Sequence, residues 1–128
     1  MSGRKTVHTN QAPEAIGPYS QGVHNDSLIF TAGQIPLDPQ SNRLLDGPFE
    51  DQVRQVLRNL SGILAAAGCD LDHVLKFTVY LASMDDYAAL NDVFSQYFTA
   101  DPPARSVIEV AALPLGARVE IDAIAQLH

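Results

Sequence analysis

This 128-residue sequence is poor in cysteine and in basic residues, and both shortages narrow what the protein can be. Its one cysteine, Cys69, cannot form an intrachain disulfide, which is the usual situation in a reducing compartment. Only 8 lysines and arginines stand against 15 acidic residues, and the formal charge is −7. Because such a chain does not attract polyanions through its overall field, we expect neither nucleic acid nor an anionic membrane as a partner.

The sequence also lacks metal-ligand clusters and long apolar runs. The histidines are scattered and Cys69 has no second thiol nearby, so no metal site is predicted. The N-terminal segment has no apolar core of signal-peptide length, and no run approaches the ~18 apolar residues of a membrane span. These absences predict a cytoplasmic protein, and the apolar content of 46% is enough for one globular domain over residues 1–128.

Strand-like and helix-like segments alternate along the chain. Residues 27–33 and 74–82 are rich in β-branched and aromatic side chains, and residues 105–112 and 118–125 predict a terminal hairpin around the sequence LPLGA. Apolar residues at three- and four-residue spacing predict helices over residues 48–67 and from about residue 84 to 98. This order predicts an α+β fold, a single mixed β-sheet with two helices packed on one face.

Local signals mark the ends of both predicted helices. Pro48 suits the first helical position and Gly68 suits a left-handed C-terminal cap. Ser83, followed three residues later by Asp86, resembles a capping box with the shorter acid. Residues 34–48, between the first predicted strand and the first predicted helix, are rich in proline and predict a loop with a brief hairpin.

Both faces of the predicted sheet carry apolar residues. In the strand at 74–82, strict alternation places Leu75 and Phe77 on one face and Val74 on the other. In the last two strands, too, each face includes aliphatic side chains. Since helices cover only one face and a large exposed apolar face is unusual on a monomer, we expect a homo-oligomer.

Arg105 stands out because it follows the proline pair at 102–103 and opens a predicted strand. Its guanidinium can bind a carboxylate or phosphate through two parallel hydrogen bonds, while a structural ion pair with one of the 15 acids is the alternative. If the terminal hairpin turns at Leu115, position 111 lies near Glu120, and Arg105 lies too far along the strand to contact Glu120 directly. A ligand between them, or groups from two subunits, fits this register better.

The segments IGPYSQ, GQIP and PARSVIEVAALP, in this order and spacing, resemble the RidA/YjgF family of imine deaminases. The resemblance runs from about Pro13 to Ala125. It implies a chorismate-mutase-like fold assembled as a homotrimer with clefts at the subunit interfaces. It also implies cofactor-independent hydrolysis of reactive 2-imino acids or enamines, such as 2-aminoacrylate and 2-iminobutyrate, to 2-oxo acids and ammonia, a form of metabolite damage control.

Carried over position by position, the resemblance implies that Arg105 holds the substrate carboxylate and that Glu120 positions the attacking water. The remaining residues that it implies for substrate binding are Tyr19, Gly33, Tyr87, Asn91 and Val107. Val107 stands where many family members have a cysteine. Nothing that depends on a thiol can therefore operate at this point, and the more apolar wall is expected to shift the preferred substrate size.

Other functions stay open at this stage. One is a pathway-specific hydrolase for an aminomuconate-type or aminoacrylate-type enamine or iminium, which would use the same arginine and glutamate. Another is a non-catalytic, chaperone-like trimer that binds 2-oxo acids. Ribonuclease activity has been ascribed to family relatives, but the charge of −7 and the lack of a basic stripe interleaved with aromatics argue against it.

Overall fold

A computed structural model describes residues 3–127, in which one six-stranded sheet carries two α-helices. The strands are β1 (Lys5–Val7), β2 (Gly22–His24), β3 (Leu28–Thr31), β4 (Val74–Leu81), β5 (Ala104–Glu109) and β6 (Val119–Gln126), and the helices are α1 (Phe49–Ala66) and α2 (Tyr87–Tyr97). The strand order is β1-β2-β3-β6-β4-β5, with β4 and β5 parallel and the other neighbours antiparallel. The predicted mixed sheet with two helices is confirmed.

The core lies between the helices and one face of the sheet. The apolar stripe predicted for α1 is confirmed, since its central members are fully buried: Val53, Val56, Leu57, Leu60, Ile63 and Leu64. Under α2, the ring of Phe77 from β4 meets that of Phe94 edge to face at 5.4 Å. Burial of these side chains, each contributing about 1.5–3 kcal/mol, is what attaches the helices to the sheet.

The predicted terminal hairpin is wrong. β5 and β6 do not pair; β4 lies between them, pairing with β5 in parallel and with β6 antiparallel. The reason is that α2 serves as a crossover connection from β4 to β5, which makes those two strands parallel neighbours. The segment after β5 then passes the end of β4, where Val110 donates to Leu81 O and Ala82 donates to Arg118 O, and enters β6 on the far side.

A β-bulge reverses the predicted faces at the start of β4. Val74 pairs with Ala125 and Lys76 pairs with Ile124, so that Leu75 is the extra residue between them. As a result Val74 is buried, while Leu75 is 47% exposed on the side away from the helices. Strict alternation was therefore the wrong assumption for these two residues.

The helix ends follow the predicted signals only in part. Gly68 has φ = 76°, which confirms the left-handed position after α1. Pro48 precedes the first helical residue instead of occupying it. Ser83 Oγ accepts a hydrogen bond from Asp85 N, but the Asp86 carboxylate accepts from Arg118 Nη2 at 2.9 Å, so the second half of the predicted capping box is absent.

The first two strands were missed by sequence reasoning because each has only three residues and one begins at a glycine. They extend the sheet beyond β3. The predicted loop at 34–48 is confirmed, with an isolated bridge between Leu37 and Leu44 as its brief hairpin. None of the helices within residues 3–127 combines the length and the apolar character that a membrane span requires.

We predict that Gly62→Ala destabilises the protein although it lies within α1. Alanine favours a helix over glycine by about 0.8–1 kcal/mol. However, a Cβ at this position would lie 2.6 Å from the carbonyl oxygen of Gln11, a backbone atom that cannot swing away. Such overpacking costs about 1–3 kcal/mol, so we expect a net loss in the free energy of unfolding, measured by urea titration at fixed protomer concentration. Ser61→Ala on the same helix is the control, and equal stability of the two variants would contradict the prediction.

Candidate functional site

Arg105 lies on the helix-facing side of β5, at the edge of the sheet. Its Nη2 donates to Asn91 Oδ1 at 2.7 Å and to the Tyr87 hydroxyl at 3.4 Å, both from α2. Its Cζ lies 5.0 Å from the ring centroid of Phe94 and 5.7 Å from that of Tyr87. Each cation–π contact of this kind contributes about 0.5–2 kcal/mol and restricts the guanidinium to one orientation.

The guanidinium has no acidic partner within residues 3–127. Both of its hydrogen bonds in this part of the chain use Nη2, which leaves the Nη1 and Nε donors available. Arg105 also lines a concave site of ≈ 430 Å³ together with Phe94, Phe98, Pro102 and Pro103. The structural ion pair considered above is therefore absent from the described residues, and two donors of the guanidinium can still bind an anion.

Glu120 lies in a second pocket, of ≈ 480 Å³, between the end of β3, the first residues of β6 and the loops that adjoin them. The predicted residues Tyr19 and Gly33 line the same pocket. The Glu120 carboxylate makes no hydrogen bond or ion pair within residues 3–127. The structure therefore brings together three of the residues predicted from the family pattern.

Gly33 lies so close to Glu120 that a larger residue fits only if the Glu120 side chain moves. A Cβ built at position 33 would collide with the Glu120 carboxylate. The next residue, Gln34, exchanges two backbone hydrogen bonds with Ile121, of 2.8 and 3.0 Å, which hold this segment against β6. The backbone of Gly33 is thus fixed beside the carboxylate, as expected of a glycine that lets a ligand and an acid share a narrow space.

Burial raises the pKa of the Glu120 carboxyl above its ordinary value, and the negative charge of Asp122 raises it further. Asp122, two residues along the same face of β6, accepts a hydrogen bond from the Tyr80 hydroxyl at 3.2 Å. A carboxyl group with a raised pKa accepts and returns protons more readily near neutral pH than an ordinary glutamate.

The two groups of predicted residues lie on opposite faces of the sheet. Arg105 is in register with Phe77, which faces the helices, whereas Glu120 is in register with Tyr80. Because side chains alternate along β4, residues 77 and 80 point to opposite sides. Tyr87, Asn91 and Val107 belong with Arg105; Tyr19 and Gly33 belong with Glu120. A single chain therefore does not assemble all seven residues around one ligand.

Sequence reasoning missed two contributions to this arrangement. The aromatic side chains that pack on Arg105 and around its pocket, Phe94 and Phe98, were assigned only to the apolar stripe of the second helix. Residues 114 and 115, in the turn before β6, line the Glu120 pocket and were read only as the centre of a hairpin. A sequence signal for the aromatic residues was present, since Phe94 lies on the same helix as Tyr87 and Asn91 and Phe98 directly follows that helix.

Comparison with known proteins identifies the family. A family model described as Endoribonuclease L-PSP matches residues 9–127. The 2-iminobutanoate/2-iminopropanoate deaminase of Mus musculus is 50% identical over 122 residues, which cover 95% of this chain and 90% of that relative. The crystal structure of the YjgF gene product of E. coli has a TM-score of 0.92 at 41% identity, covering 97% of this chain and 99% of that one. This chain belongs to the RidA/YjgF family.

A second RidA/YjgF structure carries a ligand. The crystal structure of E. coli TdcF with bound serine has a TM-score of 0.90 at 42% identity, and it covers 95% of this chain and 98% of that one. The similarity to these RidA/YjgF proteins extends over nearly the whole length of each, so the chain contains every element of the family fold. The family resemblance stated from the sequence motifs is confirmed.

We predict that Gly33→Ala displaces the Glu120 carboxylate while leaving the fold intact. The added Cβ meets the far end of a flexible side chain, so Glu120 can rotate away at little cost in stability. A crystal structure of the variant should show Glu120 in a different rotamer, with a melting temperature within a few degrees of the parent. Gly3→Ala, where an added Cβ meets nothing within 4 Å, is the control. A Glu120 carboxylate that keeps its position in Gly33→Ala would contradict this prediction.

Proposed function

We propose that this protein hydrolyses 2-imino acids and their enamine tautomers to 2-oxo acids and ammonia. The observation that carries the proposal is the Arg105 guanidinium, which is held by Asn91 and Tyr87 and has no acidic partner within residues 3–127. Its two available donors match the carboxylate of a 2-imino acid. The mouse relative, 50% identical, is named for deamination of 2-iminobutanoate and 2-iminopropanoate, which are substrates of this class.

The active unit is a homotrimer with its sites between neighbouring subunits. One argument is geometric, since Arg105 and Glu120 lie on opposite faces of one sheet and need a second chain to face one ligand. The other is the open face of the sheet, where Phe30, Leu75 and Ile108 are each 47% exposed. Covering these side chains with another sheet removes apolar surface from water, at about 25 cal/mol per Å².

The chemistry begins with binding of the substrate. Arg105 of one subunit binds the substrate carboxylate through two hydrogen bonds, which fixes the imine carbon beside Glu120 of the neighbouring subunit. Orientation of this kind contributes several kcal/mol, because the reacting groups no longer have to find one another. Asn91 and Tyr87 act as positioning residues, since they hold the guanidinium and leave its other donors free.

Water then adds to the C=N bond. Glu120 accepts a proton from water as the oxygen attacks the imine carbon, and passes that proton to the imine nitrogen, which forms a carbinolamine. Glu120 next accepts the carbinol O–H proton as the C=O forms and transfers it to the amino group; the C–N bond breaks, and ammonia leaves. The atoms balance as imino acid plus water giving 2-oxo acid plus ammonia, and acid–base help of this kind is worth about 10²–10⁴-fold.

The bound serine in the E. coli TdcF structure is consistent with a site for small amino-acid-like carboxylates. The alternative substrates considered above, aminomuconate-type or aminoacrylate-type species, would use the same arginine and glutamate. We propose that the reaction takes place in the cytoplasm. We assign it to metabolite damage control, because free imines and enamines are reactive. An RNA substrate is not proposed despite the description of the family model, since a chain of net charge −7 repels a polyanion.

We predict that Arg105→Ala abolishes imine hydrolysis and that Glu120→Gln reduces it by about 10²–10⁴-fold. Imines are generated in place by an amino-acid oxidase, and loss of the semicarbazide adduct of the imine measures hydrolysis. Arg118→Ala is the control, because Arg118 pairs with Asp86 and lies outside both pockets. Turnover that is unaffected by Arg105→Ala would refute the proposed function.

We also predict that two variants with impaired activity regain activity when their chains are mixed in one trimer. If each site takes Arg105 from one subunit and Glu120 from the next, coexpressed Arg105→Ala and Glu120→Gln chains form hybrid trimers. When the chains mix at random in equal amounts, about one quarter of the interfaces carry both intact residues, so about one quarter of wild-type activity returns.

Each variant expressed alone serves as the control for this mixing experiment. A site built from a single chain would give no recovery in any mixture, since no chain would carry both residues. Mass spectrometry of the hybrids, with one chain tagged, establishes that mixing has occurred and gives the number of chains per assembly.

A further inference from the structure

The pocket around Glu120 is larger and more apolar than hydrolysis of the smallest imines requires. Its volume is ≈ 480 Å³, and most of its lining is aliphatic or aromatic. The apolar side chains that contribute are Ile16, Tyr19, Ala32, Ile35, Leu37 and Leu115, together with two prolines. The imine of alanine has only a methyl group to place among these side chains.

Leu115 is held in an unusual conformation at this pocket. Its φ of 57° and ψ of 19° lie in the left-handed region, which costs an L-residue about 1–2 kcal/mol and favours glycine. Gly116, the next residue, also has a positive φ of 71°. The chain therefore carries a bulky aliphatic residue where its own backbone favours glycine, and it does so at the wall of the Glu120 pocket.

The Leu115 side chain is also exposed to water in the single chain, which costs further free energy. Leu115 is 67% exposed and Ile16, on the segment before β2, is 80% exposed, although both line the pocket. Exposed leucine and isoleucine side chains are stabilised when another apolar group covers them and removes their surface from water. In the proposed reaction the substrate carboxylate is bound by Arg105 of the neighbouring subunit and the imine carbon lies at Glu120, so the substrate side chain extends along the apolar wall that Leu115 and Ile16 form.

The acidic residues of the pocket also favour substrates with uncharged side chains. Glu14 also lines the pocket, and its Oε1 lies at hydrogen-bond distance, 3.0 Å, from Nε2 of the exposed His8. With Glu14 and Glu120 both on the wall, a substrate side chain that carries a negative charge is repelled. An uncharged aliphatic, thioether or aromatic side chain meets no such penalty.

We propose that Leu115 and Ile16 are specificity-determining residues that select 2-imino acids with large apolar side chains, of the leucine, methionine and phenylalanine type. This inference rests on the proposed hydrolysis of imines and names its substrate class. Leu115 contacts the substrate side chain, and its strained backbone positions it to do so.

The test compares imines that differ only in the side chain. Amino-acid oxidase generates imines from alanine, 2-aminobutyrate, leucine, methionine and phenylalanine, and kcat/KM is measured for each by semicarbazide competition. We expect wild-type kcat/KM to be about tenfold higher or more for the leucine-derived imine than for the alanine-derived one. Leu115→Gly should lower the ratio of kcat/KM for the leucine-derived imine to that for the alanine-derived imine by about threefold to tenfold, mainly through KM for the leucine-derived imine.

Two matched variants separate specificity from folding. Leu115→Met keeps an apolar side chain of similar volume and should retain the preference, while Ile16→Ser should reduce it. Leu115→Gly should melt no lower than the wild type, because glycine relieves the left-handed strain. As a readout besides turnover, calorimetry should show 4-methyl-2-oxopentanoate binding more tightly than pyruvate to the wild type, and the difference should shrink in Leu115→Gly.

The outcomes are distinguishable. Turnover of every imine with no dependence on side-chain size, or a preference for the leucine-derived imine that survives both Leu115→Gly and Ile16→Ser, overturns the specificity proposal and leaves imine hydrolysis standing. Absence of turnover for every imine by the wild type overturns the proposed function, and the specificity proposal with it.

Discussion

The alternation of side chains along a β-strand is the constraint on which the proposed site depends. Arg105 and Glu120 lie on strands that flank β4, but they are in register with Phe77 and Tyr80, which point to opposite faces of the sheet. No change of rotamer brings two side chains through a hydrogen-bonded sheet. A reaction that needs both a cation and a carboxyl group therefore needs a second copy of the chain, and the open apolar face offers a surface on which that copy can pack.

Arg105 and Glu120 both lack a partner of opposite charge in the part of the chain that the structure describes. The guanidinium of Arg105 is surrounded by aromatic rings and amide oxygen, and the Glu120 carboxyl is half-buried among apolar side chains with a raised pKa. Within residues 3–127 neither group has a partner of opposite charge, and removal of an unpaired charge from water costs free energy. In the proposed trimer, an anionic substrate supplies what each lacks: a carboxylate for the arginine, and a proton donor and acceptor for the glutamate.

Much of the fold could be predicted from local patterns. The apolar stripe of α1 has the period of a helix and faces a continuous core, so pattern and burial agree at each of its central residues. The prediction failed where a non-local pairing decided the outcome. The bulge at Leu75 depends on how β4 aligns with β6, and the position of β6 between β3 and β4 depends on the crossover made by α2. Neither leaves a signature in a short window of sequence.

The sequence by itself determined the family, the strand and helix content, and the residue types that can carry the chemistry, because the motifs around Tyr19, Gly33 and Arg105 are local and their spacing is kept. Only the tertiary structure decided that these residues lie in two groups on opposite faces of the sheet, that Phe94 stacks on Arg105, and that Leu115 stands in a strained conformation in the pocket that Glu120 lines. The physical reason is that contacts between distant segments depend on strand order and register, which are properties of the whole packed sheet.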